Sequence, residues 1–291
     1  MGQFIQPDPS LETSDAPHED LGLPIYSGHK AISGAPPFLG RFRIFDQIAE
    51  RAGQFDVPYE DQCSIEYYFD VVRTLRDLNG EYERVVEVGV FMGGASVMLA
   101  GCSGKFDFDL DLVDIDAGFL RFSYERIRRL FPEATGRIRL FQGEIADYVR
   151  VAMLGDESGK RSIIHHDGAH DFNQVVRDLS ALSFVREQIH CIIAQDTHLR
   201  GNLNEMNFVD MALAAVFGTG LTCVPIGKVY EAHDSRTNPN RYQGNYFVPD
   251  MAEGMVIPMV ANSFRYPHPS AQFDELFPEQ GGKSTELQTA A

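Results

Sequence analysis

From residue 84 onward, short apolar runs of strand length alternate with longer stretches of helical spacing, and no other feature of the 291-residue chain restricts its fold as strongly. Consecutive strands joined through helices lie parallel, and a parallel sheet is covered on both faces. Strands are predicted at residues 84–88, 106–116, 138–142, 163–167, 191–196 and 221–226, the last extending toward 230, with 245–248 as an antiparallel return. Helices are predicted at 38–52, from the N-cap Ser64 to Asn79-Gly80, after Ala95, at 121–131, behind Asp171 as cap to about 185, and at 206–217. The basic residues of 121–131 read as a solvated face.

The first of these strands, Arg84-Val-Val-Glu-Val, breaks at Gly89, passes Gly93-Gly94 and re-enters a helix at Ala95-Ser96. Glycines there let the backbone approach a ligand closely, and the first turn of a helix presents free amides. The spacing Gly89-x-x-x-Gly93-Gly94 is not the G-x-G-x-x-G of dinucleotide sites, which argues against NAD or FAD. Glu87, an acid inside the strand, suits a cofactor with positive charge, such as the amino group or sulfonium of S-adenosylmethionine. Asp114, with Asp116 close behind, ends the second strand where a carboxylate can hold a ribose diol. Glu144 follows Gly143 at the end of the third strand and can accept from an adenine amino group.

Functional groups in a parallel sheet collect beyond the carboxyl ends of the strands. Asp167 and Asp196 end strands expected to be neighbours, about 4.8 Å apart. Two carboxylates so close repel, and a hard divalent cation such as Mg²⁺ removes the conflict, with the Gln195 amide oxygen as a third ligand. In Asp167-Gly-Ala-His170 a turn returns His170 over the same edge. There a neutral imidazole can take a proton from a hydroxyl acidified by the cation. His165 and His166 lie inside the strand and read as core; His198, two residues beyond Asp196, is a spare candidate for ligand or substrate contact.

These residues, Glu87-Val-Gly-Val-Phe-Met-Gly-Gly, Val113-Asp-Ile-Asp, His166-Asp-Gly-Ala-His and Gln195-Asp196, together resemble the class I S-adenosylmethionine-dependent methyltransferases. The likeness is to the metal-dependent type that includes macrocin and rhamnosyl O-methyltransferases and the cephalosporin hydroxylase family. It covers about residues 60–250. It implies a Rossmann-like α/β fold with a mostly parallel seven-stranded sheet in the order 3-2-1-4-5-7-6. It also implies methyl transfer from S-adenosylmethionine to a hydroxyl of a small molecule, a secondary metabolite or its sugar. The expected roles are Glu87, Gly89, Gly93, Ser96, Asp114, Asp116, Glu144 and Asp167 on the cofactor; Asp167, Gln195 and Asp196 on Mg²⁺; and His170 as base. Relatives usually carry an acid where this chain has Gln195, and one charge fewer weakens a metal site. Three other readings stay open: a cofactor-binding partner component of another tailoring enzyme, a nicotinamide-dependent oxidoreductase, and an aminopropyl transferase.

A net charge of −17 repels a phosphate backbone, so nucleic acid is not the expected partner. No apolar run approaches about 18 residues, and Cys63, Cys102, Cys191 and Cys223 are too scattered for a disulfide framework, so a cytoplasmic protein with reduced core thiols is expected. Residues 1–60 read as an arm and first helix, packing across subunits of a homo-oligomer or over the site. Residues 61–250 read as the catalytic domain and 251–291 as an extension with a disordered end. The stretch Tyr230 to Tyr246, with His233, Arg236, Asn238 and Arg241, reads as a solvated loop or a lid.

Overall fold

The computed structural model describes residues 2–24, 40–55, 57, 63–201, 207–234, 237 and 246–265. The expected doubly wound α/β architecture is present. Strands β1 (Gln3–Ile5), β2 (Arg84–Val88), β3 (Asp109–Asp114), β4 (Ile138–Gln142), β5 (Ser162–His166) and β6 (Ile189–Ala194) belong to one sheet. β7 (Leu199–Arg200) and β9 (Tyr246–Phe247) form a separate two-stranded ribbon, and β8 (Val224–Val229) and β10 (Ala252–Pro258) complete the main sheet. Its order is β1-β4-β3-β2-β5-β6-β10-β8. Without β1 this is the order 3-2-1-4-5-7-6, with β10 antiparallel to both neighbours.

The helices are α1 (Pro17–Asp20), α2 (Arg43–Ala52), α3 (Ile65–Asp77), α4 (Gly94–Phe106), α5 (Ala117–Leu130), α6 (Ile145–Tyr148), α7 (Phe172–Ser183) and α8 (Val209–Phe217). Period-two alternation sorts the strand residues between two cores. Val85, Leu110, Leu112, Ile163 and Ile193 meet α2 to α5. Val86, Val88, Val113, Ile164 and Ile192 meet α6, α7 and α8 on the opposite face. Three of the cysteines are buried, and all four are free thiols. Among the described residues, no helix is long and apolar enough to cross a membrane.

Four expectations need correction. The return strand is Ala252–Pro258, whereas Tyr246–Phe247 pairs with Leu199–Arg200. Phe106 ends a helix rather than starting a strand: Asp107, at φ 56°, caps α4, and β3 begins at Asp109. The basic run on α5 is not a solvated face, because Arg126 is fully buried and Arg129 donates to the carbonyls of Leu11 and Ser14. The start of the chain is part of the sheet, since Gln3, Phe4 and Ile5 pair with Gln142, Phe141 and Leu140. Residues 266–291 and most of the 231–245 stretch, including Arg236, Asn238 and Arg241, lie outside the described residues.

Candidate active site

The glycine turn after β2 is pinned from several sides. Gly89 takes φ 82° and Gly93, the N-cap of α4, φ 74°. A Cβ on Gly89 would sit 2.2 Å from the Asp167 carbonyl oxygen, so only glycine lets this turn lie directly against the turn after β5. The Asp114 carboxylate accepts from Val90 N at 2.9 Å and from Asp116 N at 2.9 Å. From α5, Ser123 Oγ donates to the Phe91 carbonyl at 3.2 Å and Arg126 to the Met92 carbonyl at 2.9 Å. Burial raises the Asp114 carboxyl above its ordinary value, against the backbone N–H groups that pull it down.

Asp114 thus shapes the turn, and Asp116 caps α5 by accepting from Gly118 N at 2.6 Å. Glu87 is buried in mid-sheet, in register with Leu112 and His165. Ser96, fully buried in the first turn of α4, has a hydroxyl with no hydrogen-bond partner among the described residues. Glu144 stands farther out at the start of α6, half exposed and 3.7 Å from Arg177.

At the carboxyl ends of β5 and β6 the structure brings together Asp167, His170 and Asp196, whose candidate ligand atoms lie within 4.8 Å of one another. His170 Nε2 is 3.0 Å from Asp196 Oδ2 and 3.8 Å from Asp167 Oδ1. Burial opposes charge on His170, but the Asp196 and Asp167 carboxylates outweigh it and raise its pKa to about 10. Asp167 is raised to about 6, by burial first and by the Asp196 charge, with His170 opposing. Burial also works against Asp196, yet His170 holds its carboxyl below the ordinary range. The three side chains by themselves therefore favour an imidazolium between two carboxylates.

Gln195 fills the remaining corner. Its amide lies between Cys63 Sγ, at 2.7 Å, and Asp167; with its nitrogen turned to Asp167 it donates to both carboxylate oxygens, at 3.0 and 2.5 Å. In that orientation Gln195 is a donor to Asp167, and its oxygen faces away from the cluster.

Behind the cluster stands Glu253, which no sequence pattern singled out. Its carboxylate accepts from Ser64 N at 2.9 Å, from Ser64 Oγ, from Lys228 N at 2.7 Å and from the Tyr230 hydroxyl at 3.3 Å. Burial raises its pKa to about 7. The Ser64 cap of α3 was legible in the sequence, but its partner lies in a strand 189 positions away. The three other histidines near these strand ends, His165, His166 and His198, are packed. His165 meets the Tyr67 hydroxyl at 3.0 Å, and burial lowers its pKa to about 3. His166 pairs with Asp178 at 2.9 Å. His198 is buried and packs on Phe247 and Tyr230, at ring distances of 4.2 and 5.5 Å, and those two rings also touch each other at 4.8 Å.

No protein-family model and no curated protein matches the chain. Solved structures align with parts of the chain. A cofactor-bound protein from MTB is 13% identical with a TM-score of 0.44, over 77% of this chain and 98% of its own. A putative O-methyltransferase from Klebsiella pneumoniae is 15% identical with a TM-score of 0.44, over 75% of this chain and 90% of its own. The tomaymycin-pathway O-methyltransferase from Streptomyces achromogenes, in complex with SAM, is 14% identical with a TM-score of 0.37, over 55% of this chain and 68% of its own.

Proposed function

We propose that this chain is an S-adenosylmethionine-dependent O-methyltransferase acting on a hydroxyl of a small molecule, with Mg²⁺ held by Asp167 and Asp196. The observation that carries the reading is the contact between the two turns. Gly89 lies directly against Asp167-Gly168, so a ligand in the glycine turn would adjoin the acid cluster. The residues fit both groups. A buried, unpartnered hydroxyl on Ser96 is a polar atom in want of a partner, and Glu87 places an acid in the strand that feeds the turn. Asp167 and Asp196 bring carboxylate oxygens close enough for one hard ion, with His170 beside them.

When bound, S-adenosylmethionine supplies an electrophilic methyl group and Mg²⁺ acidifies a coordinated hydroxyl. The protein residues do the rest. Asp167 and Asp196 fix the acceptor edge, and the glycine turn fixes the donor. His170, within reach of both acids, receives the acceptor proton at Nε2. With the Asp167 and Asp196 charges taken up by a cation, His170 would lose the pairing that favours its imidazolium and could serve as the base. Alignment of acceptor and methyl group contributes up to about 7–11 kcal/mol in well-oriented systems.

The donor role of Gln195 supports one rival, a cofactor-binding partner component without methyl transfer of its own, because it leaves two anionic ligands rather than three. Calorimetry with S-adenosylhomocysteine, followed by an acceptor-panel assay read for methylated product with and without EDTA, separates the two. Cofactor binding with EDTA-sensitive product supports the proposal. Cofactor binding without product from any hydroxyl acceptor favours the partner reading, and no cofactor binding removes both.

A further inference from the structure

We propose that Glu253 is a positioning residue for the Gln195–Asp196 strand end, acting through a bulge in β8 and through the N-terminus of α3. The inference deepens the reading above and rests on it for its metal readout. Asp196 sits at φ 54°, a left-handed conformation uncommon outside glycine though more accessible to aspartate than to most residues, and it calls for a local hold. The next residue, Thr197, is fully buried and supplies that hold. Its N–H donates to the Glu253 carbonyl at 3.0 Å and its Oγ1 to the Ala252 carbonyl at 2.9 Å. The conformation of Asp196 therefore follows the position of residues 252 and 253 of β10.

That position is set by the Glu253 side chain. Across this stretch β8 carries one residue more than β10: Ala252 faces Val229 and Gly254 faces Ile226. The bulge is built on Gly227, at φ 82°, where a Cβ would come within 2.7 Å of Glu253 Oε2. Two amides of the bulge are taken up by carboxylates, Lys228 N by Glu253 at 2.7 Å and Gly227 N by Asp70 at 2.9 Å. The same Glu253 carboxylate accepts from Ser64 N and Oγ at the head of α3. Ser64 in turn fixes the neighbouring Cys63, whose Sγ meets the Gln195 amide. One buried carboxylate thus fastens the main chain after Asp196 and, through Cys63, the amide beside Asp167.

Glu253→Gln keeps the shape but replaces one acceptor oxygen with a donor that faces N–H groups. The first test is a crystal structure of the variant, which requires no metal. Loss of the 3.0 Å His170–Asp196 contact, or departure of Asp196 from positive φ, is expected. The second is Mn²⁺ affinity by electron paramagnetic resonance, expected to weaken at least about tenfold, as for other groups that orient metal ligands. Asp111→Asn serves as control. It breaks the contact of Asp111, on β3, with Arg139 of β4 and Tyr148 of α6, so it costs stability without touching this edge, and its Mn²⁺ affinity should equal the wild type.

Ser64→Ala, which removes the hydroxyl donor to Glu253 and the acceptor for Tyr67 N but keeps the Ser64 N–H bond to Glu253, should shift both readouts in the same direction by less and covers the case in which Glu253→Gln does not fold. An unchanged His170–Asp196 geometry, or Mn²⁺ affinity within twofold of wild type in a folded variant, overturns the proposal. Should the wild-type chain bind no Mn²⁺, the metal reading falls and the crystal structure alone decides the role of Glu253.

Discussion

His170 lies 3.0 Å from Asp196 and in the same turn as Asp167, so its removal should abolish proton acceptance without touching the glycine turn. In His170→Ala, turnover should fall by about 10²–10⁴ while S-adenosylhomocysteine binds as in the wild type; single-turnover kinetics with calorimetry measures both. Gln195→Glu adds a third carboxylate where the amide now donates. Mn²⁺ affinity should rise about tenfold or more, since ligand charge sets the affinity of such sites. Unchanged affinity would show that residue 195 does not face the ion. Glu253, raised to about 7, gives a pH prediction. A carboxyl whose folded pKa exceeds its unfolded value favours the folded state fully below about 4.5, and that contribution is lost as pH rises through 7. Relative to Glu253→Gln, the wild type should therefore lose about 1–3 kcal/mol of unfolding free energy between pH 4.5 and 8, in urea melts across that range. Asp167, His170 and Asp196 were legible in the sequence because they follow apolar runs whose ends a parallel sheet aligns. Glu253 was not, because its partners come from α3, β8 and the loop after it, and nothing in a linear pattern connects them.

At the scale of elements, the glycine turn carries the sharpest steric demand. Gly89→Ala would drive a Cβ to within 2.2 Å of the Asp167 carbonyl, a main-chain atom that moves only with its whole turn. The expected cost is about 1–3 kcal/mol by urea melt, together with weaker Mn²⁺ and cofactor binding, because both turns shift. The strands at 84–88, 138–142 and 163–167 were readable because they are apolar and bounded by turn residues. β10 was not. Its sequence Ala-Glu-Gly-Met-Val-Ile-Pro is interrupted by an acid and a glycine, both required by the packing. Gly254 lies where a Cβ would meet the Ala194 carbonyl at 2.7 Å, and Glu253 serves the bulge. Tyr246-Phe247 offered a better local strand and indeed forms one, in the ribbon with Leu199–Arg200 rather than in the sheet. The alternation around Phe106 misled for a related reason. Phe106 and Phe108 are both buried, one closing α4 and the other leading into β3, so the buried side chains alternate across a helix end.

For the whole molecule, the first residues close one edge of the sheet. Phe4 packs on Phe141 at 5.2 Å and on Tyr148 at 6.5 Å, beneath the Arg139 guanidinium. Deleting residues 1–7 should expose the β4 edge, lower the melting temperature and give concentration-dependent association in light scattering. A truncated chain that stays as stable and as dispersed as the full one would show that β1 is dispensable. The order of the seven other strands puts the glycine turn of β2 beside the acid ends of β5 and β6, and the proposed chemistry depends on that adjacency. The most direct measurement is a crystal structure of the wild-type chain with S-adenosylhomocysteine and Mn²⁺, using anomalous scattering to locate the ion. The account predicts the nucleoside against residues 89–93 and an anomalous peak between Asp167 and Asp196. A glycine turn without ligand, or an ion bound elsewhere, would contradict it.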